Sequence, residues 1–245
     1  VSVTATKNLW FGPILGRNYD GCAELTIDGN PTAPVAEADG SYTIANAEAL
    51  SNFAGAGCRL GTGAITLNFP TDAVIDMAGY SYVHGEDYAN NMTQKVILNG
   101  NGATIKNLSV TGKQAALFPW TSQGMEVSNI TMKDCSFIST NVDDNYACAA
   151  AFGSFCDVTP VSFTNCTLDN VTIGNGKYVG GFVAYCSGSN SSFTNCVVKN
   201  SSISSAYTED GGANYKGHCG GLSGASYGGT VTNCTIENTV FDVKG

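Results

Sequence analysis

Three adjacent acidic pairs, Glu86-Asp87, Asp143-Asp144 and Glu209-Asp210, are the first residues of this 245-residue chain whose types could do chemistry. Hydrolysis of a glycosidic bond needs two carboxylates about 5 to 10 Å apart. A polysaccharide lyase would add a Lys or Arg base beside clustered calcium-binding aspartates. The chain has two arginines, Arg17 and Arg59, and neither lies in the part that repeats. The acidic pairs therefore read as solvated loop residues. Ten cysteines are the next candidates. They lack the CxxC pairs of a zinc site, and only His218-Cys219 resembles a ligand pair. No catalytic residue, metal or cofactor is expected.

A second constellation is suited to binding. Three insertions, "STNVDDNYAC" (139–148), "GNGKY" (174–178) and "SAYTEDGGANYKGHC" (205–219), fall between the same two strand patterns. They should project from one flank. Together they bring Tyr146, Tyr178, Tyr207 and Tyr215 beside Asp143, Asp144, Glu209 and Asp210. A tyrosine ring can lie against sugar C–H groups while carboxylates and amides bond hydroxyls. Loops on a rigid scaffold are where binding residues tend to sit.

That scaffold is written as a repeat. "SFTNC" at 162–166 returns at 192–196, and "TNC" recurs at Asn233. Looser copies place Asn129 and Asn107 in the same column. Two residues before the asparagine stand Ile105, Val127, Phe163, Phe193 and Val231. One residue after it stand Leu108, Ile130, Cys166, Cys196 and Cys234, and three after it Val110, Met132, Leu168, Val198 and Ile236. A second block aligns Ala115-Ala116-Leu117, Ala150-Ala151-Phe152, Gly180-Gly181-Phe182 and Gly220-Gly221-Leu222, with Thr121, Cys156, Cys186 and Ser226 four residues on.

Apolar residues alternate with period two, so these are short strands with one buried face. Strands that recur with no helix between them must pair with their equivalents in the next copy, which is the logic of a β-solenoid. Stacked copies put Phe163 on Phe193 and line up Asn165, Asn195 and Asn233. Asparagine tolerates the left-handed backbone of a sharp corner, and its amide can bond the amides above and below. Asp134, Asn170, Asn200 and Asn238 mark a second corner. Cys166, Cys196 and Cys234 share a column with aliphatic residues and read as small buried hydrophobes. Cys22 and Cys58, outside the repeat, are the candidate disulfide pair.

Composition narrows the function. Net charge is −9, which disfavours nucleic acid as a partner. No run of eighteen apolar residues exists, so no membrane-inserted segment is expected. The chain starts at Val1, which reads as the boundary left by a removed signal segment.

"GGFVAYCSGSNSSFTNCVVKNSSI" (180–203) and "GGLSGASYGGTVTNCTIEN" (220–238) resemble GLUG-type repeats, known from secreted and surface proteins of gut Bacteroidetes and some Firmicutes. "YTIANAEALSNFA" (42–54) is similar to the short helix that precedes their first coil. "AVIDMAG" (73–79) and "LNGNGATIKNLSV" (98–110) resemble the strands that follow, and "AALFPW" (115–120) stands where "GLFG" is usual. Alanines replace the glycine pair at 115–116 and 150–151, and Met77 stands for a usual Leu.

The resemblance covers about residues 42–245. It implies an all-β fold, a right-handed parallel β-helix (β-solenoid) with a short N-terminal capping helix near 45–54. Residues 1–41 are expected as an irregular β segment covering the first coil. The chain is expected to be a monomer or part of a longer protein. It further implies a non-enzymatic, adhesin-like, secreted or cell-surface domain, with a polysaccharide or surface protein as ligand. A carbohydrate-active β-helix enzyme and a structural spacer are the alternatives.

Overall fold

The computed structural model describes residues 26–27, 30–31, 36–56, 64–80, 82, 94–140, 146–156, 159–207 and 217–243. Except for one antiparallel pair, Thr26–Ile27 with Asn30–Pro31, its strands pair in parallel and form five sheets. One pass of the chain contributes one strand to each sheet in turn. In the pass over residues 125–156 these are Met125–Ser128, Thr131–Lys133, Ser136–Ser139, Cys148–Ala149 and Gly153–Cys156, here sheets 1 to 5. The same order recurs over residues 96–121, 161–186 and 192–226, and three strands repeat it over 230–243. Each pass is a rung stacked on the one before. The inner faces share one core that runs from Tyr42 to Ile203.

Register follows the apolar alternation. Phe163 pairs with Phe193, and their rings stack at 5.4 Å and 4°. Every described non-glycine residue with positive φ is Asn or Asp. Asn129, Asn165, Asn195 and Asn233 turn the chain between sheets 1 and 2. Asn107, Asp134, Asn170, Asn200 and Asn238 turn it between sheets 2 and 3. Only such short polar side chains visit this region readily.

The amides form the expected ladder: Asn195 Nδ2 donates to Asn165 Oδ1 at 3.0 Å, and Asn165 Nδ2 to Asn129 Oδ1 at 2.9 Å. The second corner does likewise, Asn170 Nδ2 reaching Asp134 Oδ1 at 2.6 Å.

The residue after each corner asparagine points inward. At these positions Cys135, Cys166, Cys196 and Cys234 are free thiols, each directed at the carbonyl two residues back, at 3.1 to 3.5 Å. Ser201 and Thr239 make the same contact through hydroxyls. The cysteines are thus more than hydrophobes: each fills a core site and supplies a weak donor to a corner carbonyl.

The early rungs correct the sequence alignment. Thr104–Lys106 pairs with Thr131–Lys133, so Asn107 stands with Asp134 and not with Asn129. Ile105 lies beside Met132 and Val110 beside Phe137, while Leu108 belongs with Cys135. Val127 instead stacks on Leu98, and Gly100 occupies the corner below Asn129. Both corners share one grammar, a polar left-handed residue followed by alternating apolar ones, so the pattern alone does not tell them apart. A Cβ on Gly100 would lie 2.4 Å from the Asn129 carbonyl oxygen, which is why the ladder asparagine is missing there. A smaller slip pairs Ala115 with Ala149, one residue from the expected Ala150.

The helix forms at Ala47–Ala56, two residues later than expected. Asn46 caps it, its Oδ1 accepting from Ala49 N–H at 2.9 Å. Leu50 and Phe53 are buried in the core, Phe53 lying between Tyr42 and Phe118. They cover the end where sheets 4 and 5 begin. Tyr82 helps, its hydroxyl donating to the Leu117 carbonyl at 2.6 Å. Most of residues 1–41, with Cys22 and Cys58, lie outside the described residues.

Candidate ligand-binding flank

The three insertions do occupy one position. All leave sheet 3 and enter sheet 4, and the strands on either side are in register from rung to rung. Of the eight residues expected to line this flank, Tyr146, Tyr178 and Tyr207 are described. Tyr215, Asp143, Asp144, Glu209 and Asp210 lie outside the described residues.

Sheets 4 and 5 build an outward row of rings beside the insertions. In sheet 5, Trp120, Phe155, Tyr185 and Ala225 share one column. Trp120 stacks on Phe155 at 4.3 Å, and Phe155 on Tyr185 at 4.3 Å and 10°. In sheet 4 the parallel column is Gln114, Cys148, Tyr178 and His218, with Tyr178 stacked on His218 at 5.0 Å.

Further rings tie these columns together. Tyr178 meets Tyr185 edge-on at 5.1 Å, Tyr227 meets Tyr185 at 5.8 Å, and Tyr146 meets Phe155 at 5.9 Å. Trp120, Cys148, Ala150, Phe155 and Ala184 form an apolar cluster apart from the main core, with Tyr178 and Tyr185 packed on it. Stacking consumes most ring faces along the column, and Trp120 and Phe155 are buried. Among the described residues, what reaches solvent is Tyr227, 69% exposed, and Tyr146, 38% exposed, with His218 exposed and Tyr178 and Tyr185 half-buried.

One expected binding residue is corrected. Tyr207 is only 1% exposed, and the Lys177 ammonium sits 5.3 Å from its ring and 5.4 Å from that of Tyr178. The Tyr207 ring is packed inside the flank and is not part of its exposed surface. Cation–π contact with two rings is part of what holds a lysine that is itself only 4% exposed. Lys113 lies over Tyr146 in the same manner, at 5.9 Å.

Burial keeps two titratable groups of the row, His218 and Tyr178, in their uncharged forms. Burial lowers the His218 pKa, and the Lys177 charge lowers it further, so the imidazole is uncharged at neutral pH. Burial raises the Tyr178 pKa, with Cys148, Tyr227 and Tyr146 adding to it. Burial pushes Cys135 and Cys219 up to about 11 and Cys156 up to about 12. Cys166 is pushed up by its hydrogen bond with Cys196 and by burial, and the same bond draws Cys196 down to about 7. That thiol is fully buried. Among the described residues no group of three or more His, Cys, Asp or Glu is placed to hold a metal.

The sequence contained a signal for the row that the insertions obscured. Thr121, Cys156, Cys186 and Ser226 were legible as a column, and their register holds. The residues just before them are Trp120, Phe155, Tyr185 and Ala225, the aromatic column itself.

No family model matches the chain, and no curated protein matches it significantly. Among solved structures, the crystal structure of a putative immunoglobulin A1 protease from Bacteroides ovatus is similar, with a TM-score of 0.62 and 16% sequence identity. The match covers 88% of this chain and 66% of that one, so the chain spans slightly less than two thirds of the neighbour's length. At this identity the likeness is one of fold: an all-β stack of parallel strands with one short helix.

Proposed function

We propose that the stacked sheets close into a right-handed parallel β-helix of the GLUG-repeat type, and that the domain is a secreted or cell-surface, adhesin-like carbohydrate binder. It works without catalysis. The observation that carries this reading is the outward ring row of sheets 4 and 5, on which Tyr146, Tyr227 and His218 reach solvent beside the half-buried Tyr178 and Tyr185. Rings with an apolar body and a polar tip suit a sugar, which has apolar C–H patches and a rim of hydroxyls. The rigid ladders beneath fix the rings in place, so little ordering is needed on binding. A cysteine nucleophile must be available as thiolate and reachable; Cys135, Cys156 and Cys219 are pushed the other way, and Cys196, which is drawn down, is fully buried.

A glycan array run with wild type, Tyr227→Ala and His218→Ala tests the proposal, alongside an assay for polysaccharide breakdown. Wild type should bind at least one glycan class, and each variant should lose tenfold or more in affinity while keeping its circular dichroism spectrum. Unchanged binding in both variants, or release of sugar fragments by wild type, would overturn it.

A further inference from the structure

We infer that the ligand of this flank is a neutral, extended glycan of three or more units lying parallel to the stacking axis, and not a terminal sugar held in a socket. This rests on the carbohydrate-binding reading.

The exposed rings are distributed along the axis. Tyr146 belongs to the level of Trp120 and Phe155, its centroid 6.0 Å and 5.9 Å from theirs. Tyr227 stands beside Tyr185, one rung further on, and follows the strand that carries Ala225. Between them lie Tyr178 and Tyr185, half-buried, with His218 continuing the Tyr178 stack. Successive rungs are separated by one strand spacing, about 4.8 Å. The row therefore extends over at least two spacings in one direction.

Each level offers little by itself. Ring faces along Trp120, Phe155 and Tyr185 are spent on one another at 4.3 Å, which leaves edges and partial faces. One sugar unit would touch one level and gain a fraction of what a full stacking contact gives. A chain that follows the row collects the contacts of successive levels while its translational freedom is lost only once. Beside Tyr185 the column continues as Ala225.

Charge selects the class. The chain carries a net charge of −9, and the neutral His218 adds no local cation. Among the described residues, Lys113 and Lys177 near the row lie over tyrosine rings. Sulfated or uronate-rich polymers are repelled by the overall field, and neutral glycans are not.

Calorimetry with β-1,4-linked gluco-, manno- and xylo-oligosaccharides of one to six units, set beside heparin and polygalacturonate, decides this. For the series that binds, affinity should rise at least tenfold between one unit and four, then level off. Tyr146→Ala and Tyr227→Ala should each remove most of that gain, and Tyr227 is exposed enough for its variant to fold normally. Equal affinity for one unit and for four overturns the extended ligand but leaves carbohydrate binding intact. Preference for heparin or polygalacturonate overturns the neutral class. If neither these series nor any array glycan binds, the functional reading itself fails and takes this inference with it.

Discussion

The two halves of each rung are built to different rules. Sheets 1 to 3, with their two asparagine corners, are nearly the same in every copy: an inward apolar residue, a left-handed Asn or Asp, and an inward thiol, hydroxyl or aliphatic. Sheets 4 and 5 keep the inward residues but vary outside, carry insertions of different length, and hold a second apolar cluster facing away from the core. The repetitive half is fixed by the need for like to sit on like, since a mismatch there leaves a void or an unpaired amide. On the flank the outer side chains are released from that demand. It is the half on which a ligand surface can change without loss of the fold.

This contrast can be broken most directly with aromatic truncations. Phe163→Ala should destabilise by about 3–5 kcal/mol, read by chemical denaturation, because its ring is fully buried between Phe152, Phe182 and Phe193. Tyr207→Ala should cost about as much, since its ring is also buried. Tyr227→Ala should change stability by less than about 0.5 kcal/mol yet remove binding. If Tyr227→Ala unfolds the protein as Phe163→Ala does, the two halves are energetically one and the contrast fails.

Corner substitutions sharpen it at the next level. Asn165→Ala loses the left-handed preference, about 1–2 kcal/mol, and two amide bonds of the ladder. Asn165→Gly should recover the backbone part but not the ladder part, so its midpoint should fall between wild type and Asn165→Ala. Cys166→Val should cost less than about 1.5 kcal/mol, since Ile130 fills the same column one rung away. A larger loss would show that the thiol contacts to Val127 and Thr164 carbonyls matter more than the volume.

The smallest effect concerns Asp76, at the edge of the second corner. The Asn107 amide, Lys106 and the Ala78 N–H hold its carboxylate at a pKa of about 2. A depressed carboxylate contributes stability above its ordinary pKa of about 3.9 and loses it as pH falls through the folded value. Thermal melts should therefore show a contribution from Asp76 that fades between about pH 4 and pH 2. Asp76→Asn should remove that part of the acid dependence, and an identical acid profile in the variant would refute the assignment.

Much of the fold was legible because a stack imposes its own period on the chain. The Phe163–Phe193 pair, the column Thr121, Cys156, Cys186 and Ser226, and both sets of corner asparagines follow from like residues lying one strand spacing apart. The helix at Ala47–Ala56 was expected from the resemblance of residues 42–54 to the lead-in of repeat proteins, and the structure adds Asn46 as its cap. Asn107 was misplaced because local alternation is identical at the two corners, and only pairing between rungs distinguishes them.

The flank was half legible. Tyrosines in the insertions marked the right place, but loop tyrosines read the same in sequence whether they point out, as Tyr146 does, or are buried beneath a lysine, as Tyr207 is. What the sequence alone determined is the strand period, the corner chemistry and the columns that must stack. Only the tertiary structure decided which corner each early asparagine occupies and which rings reach solvent. Both depend on contacts between residues some thirty positions apart, which local patterns do not encode.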